Sequence, residues 1–146
     1  MEFLSMRLVL TNNLDNYDNS YTVLHDASMI EIMVCDSEAT EIIIDSFLSN
    51  IRVSQFEEFM RLILSKLRIG GKIVISDLDI ELLSGKLFMQ QIDVNEFNQV
   101  LFDSSKSVCS LHNLENIKNI LKKYGIDISS SSYYNYFFTL TGVRNV

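Results

Sequence analysis

The chain contains no proline, five glycines, two cysteines and two histidines in 146 residues. The two cysteines, Cys35 and Cys109, are too few for a disulfide framework, and we expect both to be buried free thiols. Two histidines and two cysteines scattered along the chain also lack the paired ligand spacing of a zinc site. The absence of proline, beside abundant Ile, Asn and Ser, suggests an AT-rich genome such as that of a phage or a small bacterium.

Positive charge is also scarce. Lys and Arg number 12 against 19 Asp and Glu, which gives a net charge of −7. Because a basic excess is what displaces counterions from a nucleic-acid backbone, we expect no DNA or RNA partner. No apolar run approaches the roughly 20 residues of a membrane helix, and residues 1–6 have the wrong flanks for a signal peptide. We therefore expect a soluble protein of the cytoplasm, or of the host cytoplasm if it is viral, with no membrane partner.

Strand and helix patterns alternate along what we predict to be one domain, residues 1–146. Strands are predicted over residues 7–11, 21–25, 29–35, 41–45, 72–76, 126–130 and 133–141, with a Ser-rich turn between the last two and a helix over 39–47 as an alternative to the fourth. Helices are predicted from residue 54 and over 82–91, 94–102 and 114–124. This order predicts an α/β fold: a Rossmann-like open, mostly parallel sheet with helices on both faces and an antiparallel strand pair at its C-terminal end.

The most strongly marked junction joins the helix that follows Ser54 to the strand over 72–76. Ser54 and Glu57 have the S-x-x-E spacing of a capping box, in which each side chain satisfies a free amide at the helix start. Gly70 stands where a left-handed C-terminal cap of the helix is expected, and Gly71 follows it. Near the end of the chain, Asn113 is the predicted N-cap of the last helix.

Polar residues follow most of the predicted strands. In an open α/β sheet, ligands bind beyond the carboxyl ends of the strands, which here are residues 11–13, 25–26, 35–36, 45–46 and 76–79. The carboxylates among them suit a polar ligand or acid–base chemistry, although Asp is equally common as a residue that ends strands and caps turns. Their spacing has no calcium-loop pattern, so we expect no metal site.

The densest aromatic run covers residues 133–138 (YYNYFF). It is typical either of a subunit interface, where Tyr and Phe are enriched, or of a late strand packed by helices. Basic residues do not alternate with these rings, so nucleic-acid stacking is not expected.

Three segments together resemble the class I S-adenosylmethionine (SAM)-dependent methyltransferases: residues 41–46 (EIIIDS), 67–77 (LRIGGKIVISD) and 111–126 (LHNLENIKNILKKYGI). The resemblance covers residues 41–142, and it implies a seven-stranded sheet that binds the methyl donor SAM at the strand ends of its first half. Site residues follow from the same resemblance: Thr11, Asn12 and Asn13 in place of the glycine-rich loop, Asp26 for ribose, Asp36 near adenine, Asp45 and Ser46 for substrate or catalysis, and His112 as a second catalytic candidate.

The first half departs from the family pattern. It lacks the glycines that allow a close backbone approach to the ligand, and residues 12–20 are too few for the usual crossover helix. The sequence therefore predicts a first half that is abbreviated, re-paired or antiparallel. Two functions remain open: a SAM-dependent methyltransferase of unknown acceptor, or a non-catalytic methyltransferase-like module that forms a homo-oligomer or binds a protein partner.

Overall fold

The computed structural model describes residues 5–12, 16–103 and 108–146, and within them six strands form one sheet. The strands are β1 Met6–Thr11, β2 Thr22–Leu24, β3 Ala39–Asp45, β4 Leu67–Leu78, β5 Ile126–Tyr134 and β6 Phe137–Arg144. The helices are α1 Ile30–Met33, α2 Val53–Lys66, α3 Ile80–Phe88, α4 Val94–Phe102 and α5 Leu114–Lys123. Short 3₁₀ turns also cover Ala27–Met29 and Leu48–Asn50.

The strand order is β2-β1-β3-β4-β6-β5. Strands β2, β1, β3 and β4 are parallel, β6 pairs antiparallel with β4, and β5 pairs antiparallel with β6. The predicted fold class, a mixed α/β sheet with an antiparallel C-terminal strand pair, is therefore confirmed. The first half is abbreviated rather than antiparallel, because β1 and β2 run parallel although only ten residues, 12–21, connect them.

The strand predicted over residues 29–35 is wrong. The described chain there forms the end of a 3₁₀ turn and then α1. Ile30 and Val34, four residues apart, are both buried, which is the spacing of one helix face rather than of a strand. The described sheet therefore has six strands instead of the seven that the resemblance implies.

Side chains on the two faces of the sheet have different surroundings. One face, which we call the inner face, carries Leu8, Leu10, Ile42, Ile44, Ile73, Ile75, Phe138 and Leu140, and it packs against α2 and α5 in the main core. On the other face, the outer face, Leu78 and the half-buried Phe137 pack with Leu83 of α3 and Leu101 of α4. Helices thus lie on both faces, but on the outer face they cover the carboxyl end of β4.

Helix α2 begins earlier than predicted. Its N-cap is Arg52, which makes no side-chain capping bond, and Ser54 lies inside the helix. The predicted capping box is therefore wrong, and Glu57 instead pairs with Lys123 of α5.

The double glycine does not cap α2, which ends at Lys66. Between the pairs Ala39–Leu67 and Glu41–Lys72, β4 advances five residues while β3 advances two, so residues 68–71 bulge out of the sheet. Gly70 has a φ of 83° in this bulge, a value that glycine adopts at little cost. The predicted need for a left-handed residue is confirmed, but the structure that needs it is a strand bulge.

The C-terminal elements are partly as predicted. Asn113 caps α5 by accepting a hydrogen bond from the Asn116 amide at 2.8 Å. The Ser-rich turn is wrong, because β5 continues through the serines to Tyr134 and the hairpin turns at Asn135, whose φ is 56°. The aromatic run therefore straddles the turn instead of forming one strand.

A candidate ligand site at the carboxyl ends of the parallel strands

The strand order reverses at β1, which has β2 on one side and β3 on the other. Such a switch point opens a crevice between the carboxyl ends of the two strands where the order changes, and ligands of open α/β sheets bind there. Thr11 at the end of β1 pairs in register with Asp45 at the end of β3, and Asp45 pairs with Ser76 of β4. The register therefore brings Thr11 and Asp45 to the two sides of the crevice, on the outer face.

Asp45 is half-buried and accepts hydrogen bonds from three hydroxyl groups. Tyr17 donates to its Oδ2 at 3.0 Å, and Ser46 and Ser76 each approach its Oδ1 at 3.4 Å. Burial, and then the negative charge of Asp45, raise the pKa of Tyr17 to about 12. The phenol therefore keeps its proton at neutral pH and acts as a donor, while the carboxylate is the acceptor at the centre of the cluster.

Ser46 holds an unusual backbone conformation directly after Asp45. Its φ is 52°, in the left-handed region that a non-glycine residue adopts at a cost. Its amide donates to the Ser76 carbonyl at 2.8 Å, and its carbonyl accepts from the Asn12 side chain at 3.3 Å. These bonds tie the ends of β1, β3 and β4 together around the crevice.

The other predicted residues of this edge lie beside β1. Thr11 is buried, and Asn13 lies outside the described residues. Asp26 follows β2 and caps the adjoining 3₁₀ turn by accepting the Ser28 amide at 2.9 Å, a bond that lowers the Asp26 pKa. Because neighbouring strands lie about 4.8 Å apart, β2 and β3 are separated by about 10 Å with β1 between them. Asp26 and Asp45 thus follow the strands on either side of β1.

The structure does not bring Asp36 to this site. Asp36 precedes β3, whereas Asp45 ends it, so at least the length of that strand, about 20 Å, separates them. Its carboxylate pairs with the buried Lys66 ammonium at 2.8 Å, and this hydrogen bond lowers the Asp36 pKa. The prediction placed Asp36 at the end of a third strand, and the helix found in that segment removes the basis for it.

His112 lies on the other side of the sheet from Asp45. Its ring stacks on Phe56 of α2 with centroids 4.1 Å apart, and its Nε2 lies 2.8 Å from Ser110 Oγ. Ser110 Oγ also lies 2.7 Å from the Ile51 carbonyl, which can only accept. The Leu48 carbonyl lies 3.2 Å from the same oxygen, so one hydroxyl group links the His112 ring to two backbone carbonyl groups. Burial lowers the His112 pKa, so the ring is neutral at pH 7.

Two further carboxylates near the end of β4 serve structure. Asp77 accepts the Ser49 amide at 3.1 Å. Asp79 accepts the amides of Glu81 and Leu82 at the start of α3, and the Leu114 amide at the start of α5 at 2.9 Å. Both aspartates are 1% exposed, so their oxygens are committed to these amides. For Asp79 the alternative of helix capping is confirmed.

Within the described ranges, no group of three His, Cys, Asp or Glu side chains could hold a metal ion. In the same part of the chain, no helix is long and apolar enough to cross a membrane. Cys35 and Cys109 are exposed and are not joined in a disulfide, so the prediction that they are buried is wrong.

Tyr17 is the site residue that the sequence patterns missed. It lies in a segment of Asn, Asp and Ser that reads only as a polar loop. An aromatic ring in such a loop, between two strands, is the one signal that indicates a contact with the sheet. In the structure, Tyr17 packs edge-to-face on Tyr21 with centroids 5.6 Å apart, and its hydroxyl reaches Asp45.

No protein-family model and no curated protein matches this sequence. Solved structures do match it in fold. The PH0226 protein of Pyrococcus horikoshii OT3 has a TM-score of 0.62 at 13% identity over 96% of this chain and 72% of its own. The methyltransferase complex with the Trm112 activator of Haloferax volcanii has a TM-score of 0.59 at 8% identity over 90% of this chain and 64% of its own.

A third similar structure is the magnesium protoporphyrin IX methyltransferase of Synechocystis PCC 6803 with bound SAH, the demethylated form of SAM. Its TM-score is 0.57 at 16% identity over 90% of this chain. The chain spans 64% and 55% of the matched chains from Haloferax volcanii and Synechocystis. At these identities the likeness concerns the fold alone, and this chain therefore has the fold of the class I SAM-dependent methyltransferases.

Proposed function

We propose that this chain binds SAM in the crevice between β1 and β3 and acts as a compact methyltransferase. The observation that carries the proposal is the Asp45 carboxylate, held by hydroxyl groups at the switch point of a methyltransferase fold. When bound, SAM supplies a methyl group on a positively charged sulfur. The side chains of the crevice then have two tasks, to hold the donor and to orient the acceptor.

Asp26 holds the donor in this proposal. It is fully exposed beyond β2, and its lowered pKa keeps it ionised at neutral pH. Its Oδ1 accepts the Ser28 amide, and a carboxylate has further lone pairs for the ribose hydroxyls of a nucleoside. The resemblance assigns the same role to the acidic residue at this position.

Asp45 orients the methyl acceptor. A hydroxyl or amine of the acceptor can take the place of the Tyr17 phenol on Oδ2 and donate to the carboxylate. Asp45 then fixes the direction of the acceptor's lone pair, and Ser46 and Ser76 steady the carboxylate on its other oxygen. Tyr17 keeps its proton, so it is not a base in this step.

Titration of the ¹⁵N-labelled protein with SAM and with SAH, followed by calorimetry and amide chemical shifts, tests the proposal. We expect saturable binding, with shifts concentrated at Asn12, residues 26–28 and residues 45–46. Asp26→Asn should weaken binding about tenfold, because the neutral amide cannot make a charge-assisted hydrogen bond to a ribose hydroxyl. Asp127→Asn, at the far edge of the sheet, is the matched control. Absence of heat and of shifts with both ligands at millimolar concentration would contradict SAM binding.

A non-catalytic interaction module is the second candidate, and one observation favours it. The protein's own Asn12 and Tyr17 side chains already bridge the crevice, through Ser46 and Asp45. Failure of both ligands to bind, together with a measured association with itself or a protein partner, is the outcome that supports this candidate. One similar structure is a complex that contains an activator protein, so association with a protein partner is the interaction to test first.

We also propose a cytoplasmic location. Exposed thiols persist in a reducing compartment, and Cys35 and Cys109 are both exposed. Measuring the thiol content of protein purified without reductant checks this part of the proposal.

A further inference from the structure

The two edges of the sheet differ in length. The edge strand β2 has three residues, whereas β5, at the opposite edge, has nine. In the described part of the chain, β5 pairs with β6 alone. Its other side therefore presents backbone amides and carbonyls that a further strand can bind.

Natural edge strands usually carry features that prevent such pairing: charge, proline, a bulge or short length. In β5 a bulge lies at Ser129, whose hydroxyl bonds the Thr141 carbonyl, and the only charged residue is Asp127. Residues 130–134 (SSSYY) lie beyond both features. This segment is uncharged, contains no proline and is exposed throughout.

We propose that a second copy of this chain pairs with residues 130–134 of β5, antiparallel about a two-fold axis at Ser132. The sequence of this segment is complementary to itself. Antiparallel pairing about Ser132 sets Tyr134 opposite Ser130, and Tyr133 opposite Ser131, in both directions. Tyr133 and Tyr134 are 56% and 83% exposed, so their rings are available to lie over the small serines of the other copy.

The absence of charge in residues 130–134 favours self-association at this segment. Each copy carries a net charge of −7, so most surfaces of two copies repel each other. No charged residue stands within residues 130–134, and a two-fold axis there brings no like charges into direct opposition. The inference does not depend on the proposed SAM site, which lies at the β1 and β3 end of the strand order.

Sedimentation and hydrogen exchange over a concentration series test the pairing. We expect a monomer–dimer equilibrium within protein concentrations up to about 1 mM. Amides in residues 130–134 should become more protected as the dimer forms, while those of β2 stay unchanged. A monomer at every concentration, or protection that appears at β2 instead, would overturn the proposal.

Charge variants separate pairing at this edge from general surface effects. Ser132→Lys places two like charges at the axis and should weaken the dimer at least about tenfold. Thr139→Lys adds the same charge one strand inward, since Thr139 pairs with Ser132 in register, and should leave the dimer intact. Circular dichroism verifies that both variants fold. Tyr134→Ala removes an exposed ring without changing the charge, and it should also weaken the dimer. Equal dimerisation of the Ser132→Lys and Thr139→Lys proteins would overturn the proposal.

Discussion

The phenol hydroxyl of Tyr17 donates a hydrogen bond to Oδ2 of Asp45 across 3.0 Å, and it thereby joins the loop after β1 to the end of β3. The two residues are 28 positions apart in the chain. Their contact spans the crevice where the strand order reverses, so the proposed ligand site contains a hydrogen bond that a ligand must replace or extend.

This contact makes stability depend on pH in the alkaline range. The Tyr17 pKa rises from 10.0 to about 12 on folding, so between these values the folded state holds a proton that the unfolded state has lost. The stabilisation is fully present below pH 10 and is lost as the pH rises through about 12. Tyr17→Phe should remove this dependence, as measured by urea unfolding at several alkaline pH values. An identical alkaline profile in the wild type and the variant would contradict the assignment.

His112 should give the opposite dependence at acid pH. Burial lowers its pKa below the ordinary value of 6.5, so below that pH the unfolded state binds a proton that the folded state refuses. The contribution of neutral His112 to the free energy of unfolding is therefore fully present above pH 6.5, and it is lost as the pH falls through the lowered pKa. His112→Gln, which cannot be protonated, should flatten this part of the profile. NMR titration of the His112 ring measures the pKa directly, with the exposed His25 as an internal comparison.

The glycine bulge should tolerate no side chain. A Cβ on Gly71 would lie 2.7 Å from Leu67 Cδ1 and 2.8 Å from the Arg68 carbonyl oxygen. We expect Gly71→Ala to lower the free energy of unfolding by about 1–3 kcal/mol, the usual cost of overpacking. Gly85→Ala is the matched control, because nothing lies within 4 Å of its Cβ and alanine favours the surrounding helix α3. Unfolding curves that rank the two variants in the reverse order would contradict the bulge geometry.

Asp79 should be the most important of the capping carboxylates. It accepts the amides that start α3 and the Leu114 amide that starts α5, and it is 1% exposed. Asp79→Ala leaves these buried amides without partners, and we expect a loss of about 2–4 kcal/mol in the free energy of unfolding. Asp93→Ala, which removes an exposed cap of α4 alone, should cost about 1 kcal/mol. Equal losses in chemical denaturation would show that the shared cap at Asp79 contributes nothing extra.

Much of the element order was predictable because it depends on local patterns. The bounds of α4 and the start and cap of α5 agree with the prediction, since apolar periodicity and an Asn N-cap are encoded within one element. The errors arose where two local readings compete. Residues 29–35 satisfy a strand pattern, but the burial of Ile30 and Val34 selects a helix.

The site was predictable only in part. Asp26 and Asp45 do follow parallel strands, as their sequence pattern predicts, and ligands of open sheets bind beyond such strand ends. Asp36 and His112 were separated from this edge by contacts that no local pattern encodes, namely the ion pair with Lys66 and the stack on Phe56. Tyr17 was missed because the position of a loop residue depends on its tertiary contacts, which the local sequence does not encode.

The sequence by itself determined the alternation of strands and helices, the antiparallel C-terminal strand pair and the requirement for a left-handed glycine at position 70. Each follows from backbone preferences and side-chain periodicity over a few residues. Only the tertiary structure decided the six-strand order, the contact of Tyr17 with Asp45 and the position of the uncharged residues 130–134 on an edge strand. These features depend on strand register and on long-range packing. Both are fixed by contacts between residues that lie far apart in the chain, so no local pattern encodes them.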